Sequence, residues 1–265
     1  MNGMRIVHTP NNVRFGMLGE KPPSPVPIVF GFGGSIEETL TLPQFNRCAL
    51  LCHEKGFLCV SVDLPCYGQD VRADDPESPE GNILKNWIAR IAKGEAIMKD
   101  FTNNVSSVLD HLIREGYVDS KKVAAYGHSR GAFAALHFAA VDPRARIIAA
   151  FTPLVDLTTL WEFTDMRNHE ATKSLGLIHH AEKLVDRSIW ICVGNDDDRV
   201  NTDRVIAFAR KVTLMTIDRA KAAGEYNHAS DVEMHVFPLI GHDTHPTADE
   251  EGATWINQRL NNIRT

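Results

Sequence analysis

The pentapeptide Gly127-His128-Ser129-Arg130-Gly131 constrains this chain more than any other stretch. Ahead of it runs Val123-Ala124-Ala125-Tyr126, a short apolar segment with strand character. Behind it, residues 132–140 are apolar or small on almost every face and read as a buried helix. Strand, tight turn and helix in that order force the serine into a strained backbone. Glycine is needed on both sides because a Cβ at either position would meet the neighbouring strand or helix. The strain lifts the hydroxyl to the exposed, electropositive start of the helix. Five residues match by chance too easily to identify a chemistry, so the weight falls on what else the chain brings to the same place.

The surrounding pattern alternates strands with helices. Residues 4–19 read as two short strands turned at Thr9-Pro10-Asn11-Asn12, an antiparallel hairpin at a sheet edge. A proline-rich connector, residues 21–27, leads into a central strand at 26–30. Residues 42–55 are expected as an amphipathic helix capped by Thr41 and ended by Gly56. A strand at 56–62 follows, then a polar, acidic, proline-rich excursion at 69–81. Ile83, Leu84, Trp87, Ile88 and Ile91 recur at helical spacing, as a helix packed on the core or as a flap over a site. Further helices are expected at 99–115 and 203–223, and strands at 146–151, 188–193 and 232–237. Thr247-Ala248-Asp249-Glu250 reads as a capping box opening the last helix. The interval 152–187, which carries Trp161, Phe163, Met166 and Leu177, is long for a simple crossover and is expected to form a small lid or substrate wall. No internal repeat or second domain is evident, so residues 1–265 are expected to fold as one α/β domain around a mostly parallel sheet covered on both faces.

Composition narrows the partners. A net charge of −6 without a basic run argues against nucleic acid and against anionic membrane surfaces. The five cysteines are odd in number, and four crowd into residues 48–66, with Cys48 and Cys52 one helical turn apart. They read as reduced, buried thiols rather than a disulfide framework or a metal site. The N-terminal Met1-Asn2-Gly3-Met4-Arg5 lacks the apolar core of a signal peptide, and no apolar run is as long as a membrane span. A cytoplasmic location is the expectation.

Three loops at strand ends carry chemistry. Gly31-Phe32-Gly33-Gly34-Ser35 follows the first central strand, and its glycines are expected to leave backbone amides pointing outward. No Lys-Ser or Lys-Thr follows to complete a nucleotide loop. Gly194-Asn195-Asp196-Asp197-Asp198-Arg199-Val200 offers three consecutive aspartates, any of which can orient a histidine, and Gly241-His242-Asp243-Thr244-His245 offers the histidine. In an open parallel sheet, reactive groups gather beyond the carboxyl ends of the strands, and these candidates all occupy that rim. Their order is serine, aspartate, histidine.

On these residues the chain resembles the α/β-hydrolases from end to end, which implies an eight-stranded, mostly parallel sheet with helices on both faces. The family orders its reactive groups in the same way, with the nucleophile on the turn at Gly127 to Gly131. Gly194-x-x-Asp197-x-Arg199-Val200 is similar to the acid loop of the prolyl-oligopeptidase and dienelactone-hydrolase-like branches. That register implies Asp197 as the acid, ahead of Asp196, Asp198 and the more distant Asp156. The glycine loop resembles the family's His-Gly-Phe-Gly-Gly-Ser oxyanion segment, with Phe30 standing where a histidine is usual. By that match the N–H groups of Phe32 and Arg130 form the oxyanion hole.

The resemblance therefore implies a serine hydrolase of carboxylic esters. Ser129 attacks an acyl carbonyl, His242 takes its proton, Asp197 holds the imidazole, and water cleaves the acyl-enzyme. This chemistry requires no metal or organic cofactor. A small-molecule ester is the expected substrate, with Trp87 and Trp161 as its aromatic contacts and segments 69–100 and 153–187 as possible lids. His128 is expected to pack beside the turn, and His245 is the rival to His242. Glucuronoyl esterases also place an arginine directly after the nucleophile, but the Arg130 side chain is expected in a salt bridge. A peptidase of the prolyl-oligopeptidase type is the alternative; that family usually adds an N-terminal propeller, whereas here the first central strand already opens at Val26. A binding protein that keeps the fold without catalysis is the third reading.

Overall fold

The computed structural model describes residues 3–227 and 229–263; Met1 and Asn2 of the N-terminal segment lie outside them. Eight strands form one sheet, and their numbering follows the chain: β1 (Met4–His8), β2 (Arg14–Leu18), β3 (Val26–Phe32), β4 (Leu58–Ser61), β5 (Val118–His128), β6 (Ala145–Phe151), β7 (Ser188–Asp196) and β8 (Val232–Ile240). They lie in the order β1-β2-β4-β3-β5-β6-β7-β8. The β1–β2 hairpin is antiparallel and joins β4 antiparallel; every other pairing is parallel. This is the expected eight-stranded α/β-hydrolase sheet.

Alternate residues of the central strands face opposite layers. Ile28 and Phe30 enter one apolar core with helices α3 (Ile83–Ala92), α4 (Ile97–Arg114), α5 (Arg130–Val141) and α7 (Thr202–Ala222). Val29, Ala124 and Tyr126 enter a second, with α1 (Ile36–Thr41), α2 (Pro43–Glu54) and α8 (Ala248–Asn262). Residues 132–140 of α5 are buried throughout, as expected for a helix lying between the sheet and the outer elements. Among the described residues no helix is long and apolar enough to cross a membrane. All five cysteines are free and buried. Burial pushes the Cys48 and Cys59 thiols well up, and Cys59 donates to the Ala49 carbonyl at 3.0 Å.

Several local expectations change. Thr41 does not cap α2; its hydroxyl bonds back to the Glu37 carbonyl at the end of α1, a short helix that the sequence reading missed. Its signal was present, since Ser35-Ile36-Glu37-Glu38 forms a capping box. The motif at Thr247 does not: Thr247 makes no capping bond, its hydroxyl binds Glu251, and Glu250 pairs with Arg47. Strand β8 runs on to Ile240, with Pro238 tolerated because the strand is an edge. The helix α5 and the loops after β3, β7 and β8 all meet at the carboxyl rim of the parallel strands.

Between β6 and β7 the chain makes 3-10 turns at Leu157–Thr159, Trp161–Met166 and Leu177–Leu184 and a short helix, α6 (Glu170–Ser174). Glu162 in this stretch accepts from both ends of the Arg199 guanidinium, at 2.7 and 2.6 Å, and from the Asn82 amide at 3.1 Å. Asn82 is also the N-cap of α3. One buried carboxylate therefore joins the loop after β7 to the segment before β7 and to the start of α3.

Candidate active site

The turn after β5 is tight for a packing reason. A Cβ on Gly127 would run into the backbone of Gly131, and a Cβ on Gly131 would run into the Phe32 carbonyl. Ser129 between them takes φ 52°, a left-handed value that a non-glycine residue holds only under strain. The neighbours hold it there: Ser129 N–H donates to the Phe151 carbonyl at 2.9 Å, and its carbonyl accepts from Leu154 at 3.2 Å and Phe133 at 3.1 Å. The hydroxyl is left at the head of α5, and the close approach of Gly131 brings the end of β3 against the same turn.

The loop after β7 presents Asp197 with its carboxylate fully shielded from solvent. Oδ1 accepts from the backbone N–H groups of Arg199 at 3.1 Å and Val200 at 3.2 Å. Thr202 N–H donates to the Asp197 carbonyl, and the Thr202 hydroxyl donates to Gly194 at 2.6 Å, closing the loop on itself. Oδ2 is left for His242, whose Nδ1 lies 2.8 Å away. A carboxylate can only accept here, so Nδ1 carries the proton and Nε2 keeps its lone pair. Nε2 lies 2.9 Å from Ser129 Oγ, in place to accept the hydroxyl proton. Gly241 N–H donates to the Asp196 carbonyl, which ties the histidine loop to the acid loop.

The competing candidates lie elsewhere. Asp196 and Asp198 are exposed, and Asp156 caps a 3-10 turn through Thr158. His245 stacks on Phe237 at 4.1 Å and bonds to the Thr247 hydroxyl. His128 stacks on Phe151 at 4.6 Å, with Nε2 3.4 Å from Asp249, in keeping with a packing role.

The glycine loop differs from its expectation in one respect. Gly33 and Gly34 do not turn their amides outward; both donate to the Thr39 hydroxyl, at 3.1 and 3.2 Å. Thr39 thus braces the loop, with help from Asp63, which accepts from Ile36 N–H at 2.7 Å. Phe32 is the last residue of β3, and its carbonyl abuts Gly131. Arg130 N–H is the first amide of α5, which helix geometry leaves without a carbonyl of its own. Phe30, where a histidine is usual, stacks on Phe32 at 6.2 Å, and both rings pack edge-on against Phe138, so an apolar cluster supports the loop.

Trp87 does not line the site. It is fully buried against Phe133, and its indole N–H donates to the Pro65 carbonyl at 2.8 Å, so it anchors the loop after β4 from beneath. Trp161 is 63% exposed and lies beside Arg199, 6.0 Å from its guanidinium carbon. Arg130 makes no salt bridge among the described residues; its guanidinium lies over the Tyr67 ring, 5.2 Å from the centroid. Glu162, Tyr67 and Thr39 were all missed in the sequence. Only Thr39 left a trace, in its nearness to the glycine run.

A family model described as "Putative esterase" matches residues 51–256. No curated protein matches the sequence. Among solved structures, a "Putative Dienelactone Hydrolase" from Klebsiella pneumoniae aligns at TM-score 0.67 and 14% identity, covering 99% of this chain and 100% of that one. A cold-adapted esterase from an Arctic intertidal metagenomic library aligns at TM-score 0.62 and 16% identity, over 97% of this chain and 92% of its own. Porphyromonas gingivalis dipeptidyl peptidase 4 aligns at TM-score 0.68 and 14% identity over 97% of this chain, which spans only 35% of the peptidase. These likenesses speak to the fold.

Proposed function

The chain belongs to this esterase family of α/β-hydrolases, and from that premise we propose that it cleaves carboxylic esters through an acyl-enzyme on Ser129. What supports this reading is the unbroken hydrogen-bonded line from Asp197 through His242 to Ser129. His242 Nε2 takes the hydroxyl proton as Oγ attacks the ester carbonyl. The tetrahedral oxyanion is met by the N–H groups of Phe32 and Arg130, each donor of this kind being worth about 3 kcal/mol at the transition state. Collapse of the intermediate expels the alcohol, which receives the proton from His242. Water, deprotonated by the same histidine, then releases the acid and restores the serine. Asp197 stabilises the imidazolium in both halves without itself being protonated.

The excursions at 69–100 and 153–187 wall the substrate pocket, and Glu162 makes them one unit with the acid loop. Trp161, exposed at their edge, is the aromatic contact for the substrate. The test is labelling with a fluorophosphonate probe, followed by turnover of 4-nitrophenyl esters of increasing chain length beside aminoacyl 4-nitroanilides. Labelling that disappears in Ser129→Ala, with esters turned over far faster than anilides, is expected. Wild-type protein that resists the probe contradicts the proposal, and faster anilide cleavage turns it into a peptidase.

A further inference from the structure

Arg130 and the half-buried Arg187 differ from the ion-paired arginines held close to the protein interior, and of these two Arg187 still gives its Nε to the Ala139 carbonyl at 3.4 Å. Arg14 reaches Glu37 and Asp63, Arg90 reaches Asp70 and Asp75, Arg144 reaches Asp110 and Asp142, and Arg199 reaches Glu162. Among the described residues the Arg130 side chain has no carboxylate partner, and its Nε is shut away from solvent with no acceptor. Its one neighbour of note is the Tyr67 ring. Burial pushes the Tyr67 phenol up to about 12, so it stays neutral and offers only its π face. Nearby carboxylates are already occupied. Glu38 accepts from the Ser35 amide at 2.8 Å and hydroxyl at 3.1 Å, and Asp63 serves Arg14, Ile36 and Gln69.

A shielded donor on a positive group is costly to leave unmet, and the natural remedy is an acidic neighbour. Here the fold supplies an aromatic face instead. The place where this happens is informative. Arg130 directly follows Ser129, and Tyr67 also lies against the glycine loop, since a Cβ on Gly34 would come within 3.3 Å of its ring. The unanswered charge therefore lies over Tyr67, on the residue that follows the nucleophile and against a ring that borders the glycine loop.

We infer that Arg130 reads a free carboxylate on the substrate, so that the site takes esters carrying an acid group a few bonds from the carbonyl under attack. The inference rests on Ser129 as nucleophile and adds the substrate class. A carboxylate fits the two terminal nitrogens of the guanidinium, which unlike Nε are not shut away from solvent, through two charge-assisted hydrogen bonds. The chain's net charge of −6 repels anions at long range, so a preference for them has to come from a local group such as this one.

The experiment compares kcat/KM within two matched pairs. For a carboxylate on the acyl side, 4-nitrophenyl hydrogen glutarate is set against 4-nitrophenyl pentanoate. For one on the alcohol side, the butyrate ester of 4-hydroxybenzoate is set against that of 4-hydroxybenzamide. In one pair the wild-type enzyme is expected to favour the charged member by tenfold to a hundredfold, and the responding pair tells which side carries the acid. In Arg130→Met that ratio falls to about one whatever happens to the absolute rates, and Arg130→Lys keeps part of it. As a check on the unmutated protein, glutarate protects Ser129 from fluorophosphonate and glutaramide does not. Labelling and neutral-ester turnover without any preference for the charged member overturn this inference alone, as does a preference that survives in Arg130→Met. Failure to label Ser129 overturns the hydrolase reading and this inference with it.

Discussion

Gly131 lies so close to Phe32 that the space for its Cβ is already taken by the Phe32 carbonyl oxygen. Through that contact the end of β3 and the start of α5 hold each other in register, and with them the two amides proposed to meet the oxyanion.

Gly131→Ala is therefore expected to do more harm than its single methyl group implies. The clash is with backbone, which cannot rotate aside, so the loop and the helix must separate. Loss of about 1–3 kcal/mol in urea unfolding is expected, together with a fall of at least a hundredfold in kcat on 4-nitrophenyl butyrate. A variant with wild-type kcat would show that the two amides need not be held this way.

Asp197→Asn keeps the shape of the acid loop while removing the charge that fixes His242. The amide can donate to Nδ1 and so favour the wrong tautomer, with the proton on Nε2 facing Ser129. A drop in kcat on the order of 10³–10⁴ is expected, with the melting temperature changed by only a few degrees. Substitution of Asp196 or Asp198, both exposed, is expected to leave kcat within about twofold.

Glu162→Gln tests the joint between the excursions and the acid loop. Glu162 is 2% exposed and holds Arg199, whose own amide donates to Asp197. Neutralising it leaves a partly shielded guanidinium without its partner, so about 2–3 kcal/mol of stability should go. Activity should fall about tenfold as the acid loop loosens, a change read from kcat at a temperature where circular dichroism still reports folded protein.

Acid should weaken the fold through His137. Burial, with His180 and Lys183 nearby, lowers its pKa to about 3 from the usual 6.5, although its Nε2 bonds to the Leu175 carbonyl. The unfolded chain then binds a proton that the folded chain refuses. This contribution to stability is complete above about pH 6.5 and is lost as pH falls from there towards 3, at up to about 1.4 kcal/mol per pH unit. Urea unfolding at pH 7, 5.5 and 4.5 should show the slope, and His137→Phe should flatten it. An equal slope in the variant would assign the acid sensitivity to other groups.

Much of the site was legible because its elements are local. Glycine on both sides of Ser129, the apolar residues before it and the small residues behind it describe a strand, a turn and a helix without reference to anything distant. The same holds for Asp197 and His242, each a few residues past a strand end. The readings that went astray depended on a neighbour far along the chain. Trp87 has the spacing of a helix and the chemistry of a pocket lining, but its partners are Pro65 and Phe133. Thr247 precedes a plausible capping box, but Glu250 is drawn off by Arg47, some two hundred residues earlier in the chain.

Periodicity and turn chemistry in the sequence alone determined the alternating layers, the strained serine and the order of the reactive groups, because hydrogen bonding and side-chain shape over a few residues suffice to set them. Tertiary structure decided which groups find a partner. Whether a charge is answered depends on what other elements bring within a few ångströms, and no local pattern records that. Glu162, in the excursion before β7, is held by Arg199 of the acid loop and Asn82 of the other excursion, and among the described residues Arg130, expected in a salt bridge, meets the face of Tyr67 and no carboxylate.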